Sequence, residues 1–532
     1  MHAKRWWRLQ HSLFGAAILS ATLLIAACSG NEEAGPDGAS GSAPPDQAAR
    51  TSDQPGDVEA RQRSVAGLLQ VEPASGHVGD EFTISGEDFA PGAEVSFEWI
   101  SWEGHYETEV HEAGAYFIGP RFEDVPLVLG TARADSNGRV EATFEAPVDF
   151  GGAHDIFAVV DDEAVARGGY QIHPRVTVSP EEGVVGSPIT IEVDGMLRLF
   201  GRTKMSVYYN NQYLGYVSST TTSGSATAVI RAAGPPGLHT IDLGVFGVHG
   251  GPFLTVHQSP YEAQWPSTSM YRSTFRVTED QGGSEPTFEW PAQDRVVDLD
   301  ANELFPTAAG VGVPESMSFD ISPGRGPVET RIEVHASGFD PGAAVVIDWS
   351  TVGGSGGGQA SLQSDAIRLG EFEANDNGEL SATVSAPNHL GGWHAVQLVI
   401  DDAVVAERGF YTERSLVSAP EEVRLGEAFT IEFLGSGLYD LDNGWAVTYN
   451  NAYMGYGCGF TARGPVELHF VAAGSPGTHL IDIYPMVYRG IGGSGEEPWG
   501  YQLPQLNATE DHPGLDLGMS LPVIRVAIEV VE

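Results

Sequence analysis

Short runs in which apolar and polar residues alternate recur along most of the chain. Phe82-Thr-Ile-Ser85, Val95-Ser-Phe-Glu-Trp99 and Val140-Glu-Ala-Thr-Phe144 are three of them. Ile189-Thr-Ile-Glu-Val193, Met205-Ser-Val-Tyr-Tyr209, Ala226-Thr-Ala-Val-Ile230 and His239-Thr-Ile-Asp-Leu243 follow further on. A period of two is that of a strand with one buried face. Clusters of Gly, Pro, Asn and Asp, such as Ala90-Pro-Gly92 and Asp135-Ser-Asn-Gly138, punctuate the runs and supply turn chemistry. No amphipathic helix emerges beyond the N-terminal apolar stretch. The fold class expected is all-β, built of tandem sandwiches.

The pattern occurs twice. Val160-Asp-Asp162 matches Ile400-Asp-Asp402, and Gly151-Gly-Ala-His154 matches Gly391-Gly-Trp-His394. Tyr209-Asn-Asn-Gln-Tyr-Leu-Gly-Tyr216 matches Tyr449-Asn-Asn-Ala-Tyr-Met-Gly-Tyr456, again about 240 residues on. Phe89-Ala-Pro-Gly92 and Phe339-Asp-Pro-Gly342 lie about ten residues further apart, which places extra residues in the first unit, in a loop expected after Trp99. A unit of about 240 residues holds two sandwiches of ~100 residues. The layout expected is a signal segment at 1–28, a disordered tether at 29–66, modules at 67–172 and 173–279, a linker at 280–315, and modules at 316–412 and 413–532. The final strand is expected in Val523-Ile-Arg-Val-Ala-Ile-Glu-Val530, paired in the duplication with Tyr271-Arg-Ser-Thr-Phe-Arg-Val277.

The first residues carry an address. Lys4, Arg5 and Arg8 precede an apolar run from Leu13 to Ala27, too short for a comfortable membrane span. The run ends Ile25-Ala-Ala-Cys28 and resembles the bacterial lipobox. That resemblance implies lipidation of Cys28, hence a membrane partner reached through acyl chains, at the outer membrane or cell surface. The other cysteine, Cys458, then has no disulfide partner within the chain.

Charge narrows the partners further. With 27 Lys and Arg against 72 Asp and Glu, the formal net charge is −45, which excludes nucleic acid as a partner. Lys4 and Lys204 are the only lysines, and a surface so acidic suits a salty or GC-rich source, where salt would screen self-repulsion.

At the start of each unit a family pattern emerges. Val71-Glu-Pro-Ala-Ser-Gly76 through Gly86-Glu-Asp-Phe89-Ala-Pro-Gly92 resembles bacterial immunoglobulin-like domains of the IPT/TIG type, as does Ile321-Ser-Pro-Gly324 through Phe339-Asp-Pro-Gly342. The second and fourth modules keep the Pro-Glu-Glu opening at Pro180 and Pro420 but lack the Phe-x-Pro-Gly signature. The resemblance implies surface spacers, adhesion modules or glycan-binding accessories, and carries no catalytic residue or cofactor.

The candidate binding residues are few. Tyr209, Asn210, Asn211, Tyr213 and Tyr216, with Tyr449, Asn450, Asn451, Tyr453 and Tyr456, have two readings. One is an exposed tyrosine platform that stacks on sugar rings. The other, which asks for less, is a hairpin with cross-strand aromatic pairs around an Asn-Asn turn. Trp102, His105 and His111 lie in the stretch that differs between the units and are read as a ligand-contacting loop tip. Its glutamates invite a cation, but the spacing fits no strong zinc pattern. His154, His394, His239 and His479 each stand two residues after a glycine and are read as bonding loop carbonyls. Asp161-Asp162 and Asp401-Asp402 read as hairpin turns. Gly353-Gly-Ser355-Gly-Gly357 mimics a nucleophile elbow without the helix that chemistry requires. The leading function is non-enzymatic, a lipid-anchored spacer or a binding module for a glycan or envelope protein. The alternative is a polysaccharide-acting hydrolase or its accessory subunit.

Overall fold

The computed structural model describes residues 65, 67–111, 114–198, 203–245, 271–279, 312–353, 363–437, 441, 443–458, 466–487 and 503–532. Cys28, residues 29–64 and 66 of the tether and Ser355 lie outside the described residues, as do the side chains of His111 and Cys458, while Val65, expected in the tether, is half-buried against Ile100, Phe157 and Val159.

Every regular element among the described residues is a β-strand, and the strands form eight sheets that pair into four sandwiches. The second sandwich shows the plan. Arg175–Ser179, Pro188–Asp194 and Ala226–Arg231 make an antiparallel three-stranded sheet. Facing it, the order is Glu182–Gly183, Tyr271–Val277, Gly237–Val245, Lys204–Tyr209, Gln212–Ser218, the short first strand running parallel to Tyr271–Val277. In immunoglobulin lettering these are the A-B-E and A′-G-F-C-C′ sheets, so the fold is immunoglobulin-like by its own strand order. The third and fourth sandwiches repeat that order. The first does so with one addition, Gly67–Leu68, beside the last strand Glu163–Ile172. Ile524–Val531 and Tyr271–Val277 take the same place in their sandwiches, as the duplication led one to expect.

Alternation produces the burial. Glu379–Ser385 reads exposed, buried, exposed along its length, its buried residues Leu380, Ala382 and Val384 facing the third core. Trp99, Trp349 and Trp445 are fully buried at the centres of the first, third and fourth cores. Both Asn-Asn pairs and both Asp-Asp pairs have positive φ at each residue, between 47° and 66°, the geometry of a type I′ hairpin turn.

The extra residues of the first unit do not form a loop. They lengthen a hairpin whose strands run Glu94–His111 and Gly114–Arg133, against Ala344–Gly353 and Gln363–Glu373 in the third sandwich. Trp102, Gly104, Tyr106 and Thr108 are at least half-buried, whereas Glu103, His105 and Glu107 are exposed. The period of two thus runs on past Trp99, through residues whose Glu and His content reads as loop.

The sandwiches are not beads on a string. The second core takes in Leu480, Tyr484, Leu506 and Val523 from the fourth. A further apolar cluster joins Tyr106 and Phe117 of the long hairpin to Trp393 and Tyr411 of the third sandwich and to Leu517, Met519 and Leu521.

Candidate functional site

The repeated Tyr-Asn-Asn motif builds a knot. Asn210 Nδ2 donates to His239 Nδ1 at 2.7 Å, and its Oδ1 accepts from the Thr240 amide at 3.1 Å. His239 Nε2 then donates to the Pro235 carbonyl at 2.8 Å, and the Tyr209 hydroxyl donates to the Ala233 carbonyl at 2.8 Å. Asn450, His479, Ser475, Tyr449 and Ala473 repeat these bonds in the fourth sandwich. His154 and His394 likewise reach the carbonyls of Phe150 and Leu390, and each stacks on its core tryptophan. All four histidines therefore tie down loops, and the asparagines pin the turn to the neighbouring strand.

The tyrosines beyond the turn face protein rather than solvent. Tyr216 is fully buried, and the Tyr213 hydroxyl is buried with no hydrogen-bond partner among the described residues. Burial pushes the Tyr213 phenol well above its ordinary pKa. Tyr208 and Tyr213 form a cross-strand pair at 5.6 Å, and Tyr213 meets Tyr453 edge-on at 6.2 Å across the two sandwiches. The exposed platform is corrected accordingly: Tyr209, Tyr213 and Tyr216 lie in cores or between sandwiches, because the second and fourth pack together there. Asn451 is also buried, its Nδ2 donating to the Arg231 carbonyl at 2.7 Å, and Asn211 is part-buried. Tyr456, at 40% exposure, and Asn210 and His105 retain an exposed surface.

The same correction applies to the presumed loop tip. Trp102 sits against His154 at 4.7 Å and beneath the Arg198 guanidinium at 4.2 Å, a cation–π contact between the first two sandwiches. A side chain at Gly104 would run into the Thr220 carbonyl oxygen, so glycine permits the hairpin to lie against the second sandwich. No group of three or more His, Cys, Asp or Glu gathers as a metal site among the described residues.

The groups that organise the centre come from elsewhere. Residues 503–521 form a strap between the last two strands of the fourth sandwich. The Tyr216 amide donates to the Pro504 carbonyl and the Leu506 amide to the Tyr216 carbonyl, each at 2.9 Å, so the strap adds a short parallel strand to the edge strand Gln212–Ser218. A Cβ on Gly215 would lie 2.6 Å from the Pro504 oxygen, which explains the glycine of the Tyr-x-Gly-Tyr motif here. The Asn507 side-chain amide continues the pairing, accepting from the Ser218 amide at 3.0 Å and donating to its carbonyl at 2.7 Å.

Asp511 then closes the junction. Its fully buried carboxylate accepts from the amides of Thr220 and Thr221 at 2.8 and 2.9 Å, from the Thr221 hydroxyl at 2.9 Å and from the Tyr106 hydroxyl at 3.0 Å. Burial beside that carboxylate holds the Tyr106 phenol far above its usual pKa. One side chain of the fourth sandwich thereby joins the first and second. Further along, the Leu517 and Ser520 carbonyls accept from Trp393 Nε1 and the Tyr411 hydroxyl of the third.

A second buried cluster fixes the second sandwich to the fourth. Asp482 accepts from Arg231 Nη2 at 2.6 Å and Arg525 Nη1 at 3.0 Å, and Arg231 also reaches the Ile481 and Val526 carbonyls. Neither Asp511 nor Arg231 stands out in the sequence alone. The duplication contains the signal for one of them: Arg231 ends its strand where the fourth sandwich has Val471, opposite Pro188 and Ala428 respectively.

No protein-family model matches the chain, and no curated protein matches it. Among solved structures it is similar to a Salmonella alpha-2-macroglobulin reacted with methylamine, at 11% identity over 88% of this chain, with a TM-score of 0.16. The chain spans 31% of that protein's length. It is also similar to the ICAM-5 D1–D4 ectodomain fragment, at 11% identity, 88% of this chain, 100% of that one and a TM-score of 0.16. Likenesses this distant carry no argument, and the immunoglobulin-like assignment rests on the strand order above.

Proposed function

We propose that this chain is a non-enzymatic bacterial lipoprotein whose IPT/TIG-like sandwiches act together as one block, a spacer that holds a binding surface for a glycan or envelope protein away from the membrane. The observation that carries this reading is the use made of the buried polar side chains. Asp482, Asp511, Tyr106 and Arg231 join sandwiches, and the buried Asp149, Asp242 and Glu407 are bonded within theirs to Trp99, Arg272 and Gln397. Side chains engaged in joints and internal bonds favour a mechanical role over acid–base chemistry, which needs carboxylates converging on a cleft. Cys28 and the tether at 29–66 supply the anchor and the reach.

Two measurements test it in the full chain. Labelling with palmitate and fractionation should place the wild-type protein in the membrane, labelled, and Cys28→Ala outside it, unlabelled; a membrane-bound, unlabelled wild type removes the anchor. Incubation with a panel of insoluble polysaccharides should then give retention or nothing. New reducing ends, lost on substituting a carboxylate, would turn the reading to a hydrolase.

A further inference from the structure

We infer that residues 503–511 are a releasable lock, and that the molecule opens by losing this part of the strap while the remainder, seated through Leu517, Met519 and Leu521 in the apolar cluster with Tyr106 and Phe117, and the four cores stay folded. The first, third and fourth cores are each built within one sandwich, while the second also takes in Leu480, Tyr484 and Val523 of the fourth and Leu506 of the strap. Leu506 apart, the first half of the strap holds its neighbours mainly through polar groups. Gln505, Asn507, Glu510 and Asp511 bond to Tyr216, Ser218, Thr227, Thr220, Thr221 and Tyr106.

The backbone pairing is one bridge long, between Tyr216 and Gln505, and side-chain amides complete it. Contacts of this kind give way locally before an apolar core does. The Asp511 carboxylate concentrates the effect, because its loss leaves two amides and the Tyr106 hydroxyl buried without their acceptor. Opening would uncover the edge strand Gln212–Ser218 and release the Tyr106 hydroxyl of the long hairpin, two sandwiches affected in one step. The edge strand so uncovered carries unpaired amides, which is why a cover is needed in the closed form.

Hydrogen exchange followed by mass spectrometry tests this on the full chain with two independent variants. Asp511→Ala removes the central acceptor. Gly215→Val instead wedges the strap away, since the atoms nearest the new Cβ all belong to Pro504 and Leu506. In both, peptides covering 214–221 should exchange at least about tenfold faster than in wild type. Peptides covering Arg331–Ser337 and Glu379–Ser385 of the third sandwich should be unchanged. Uniform acceleration across all peptides would mean that the strap belongs to the global folding unit and overturns the inference. So would unchanged exchange at 214–221 in both variants. If one variant fails to fold, the other decides alone.

Discussion

Single side chains at the junctions carry unequal weight, and the geometry says which should matter most. Asp482 lies between two guanidiniums that are themselves nearly buried. Removing it leaves two like charges in a dry interface, whereas removing Arg231 leaves Asp482 still paired with Arg525. Asp482→Ala is therefore expected to destabilise by roughly 3–5 kcal/mol, and Arg231→Ala by clearly less, measured by urea denaturation at constant salt. His512 offers a second residue-scale test. Its Nδ1 accepts from the Gly514 amide, and burial together with the Arg414 charge lowers its pKa from 6.5 to about 3. The folded state thus holds the neutral ring while the unfolded chain takes up a proton below 6.5. The stabilisation is complete above that pH and is lost as the pH falls toward 3, at about 1.4 kcal/mol per unit. Melting temperatures between pH 7 and 4.5 should fall more steeply for wild type than for His512→Leu, the comparison cancelling the other acids. Parallel slopes would show that His512 protonates freely in the fold.

At the scale of elements, the hairpins show both what was legible and what was not. The type I′ turns were readable because Asn and Asp tolerate positive φ and sat between alternating runs. The Asp161-Asp162 and Asp401-Asp402 turns place two acids side by side at strained backbone angles, with φ of 47° to 64°. Replacing either pair with Asn-Gly keeps the turn, removes like charge and relieves the second residue. Each exchange should stabilise by up to about 1 kcal/mol, seen as a higher melting temperature; a lower one would mean that the acids serve a contact elsewhere. The long hairpin was misread because composition outweighed period: Glu103, His105 and Glu107 look like loop but occupy only the exposed positions, and the half-buried series Trp102, Gly104, Tyr106, Thr108 kept the strand going. Of the two readings of the Tyr-Asn-Asn motif, the hairpin with cross-strand aromatic pairs is the one the structure shows, and the exposed platform is not. The motif's repetition signalled a structural knot with His239 and His479, and no local pattern states whether a tyrosine faces solvent or a neighbouring sandwich.

For the whole molecule, the duplication made the four-sandwich order legible, while the packing of non-neighbours was not, since it depends on residues far apart such as Tyr106 and Asp511. That packing also sets the scale on which charge acts. A chain of formal net charge −45 folded as separate beads could relieve repulsion by spreading out; joined through a central strap, it holds its acids at fixed and closer separations. The buried joints, Asp482 with its two arginines among them, are shielded from ions and should respond little to salt. The surface acids should respond strongly, because the screening length falls from about 10 Å at 0.1 M to about 3 Å at 1 M. Salt is therefore expected to raise the melting temperature steadily across that range, with NaCl and KCl acting alike because the effect is screening rather than site binding. A rise with only one cation would point to a specific site. A flat response would show that self-repulsion is already relieved in the assembled block, and a fall would mean that attractive surface pairs such as Arg121 with Glu107 and Arg167 with Asp155 outweigh the excess of acids.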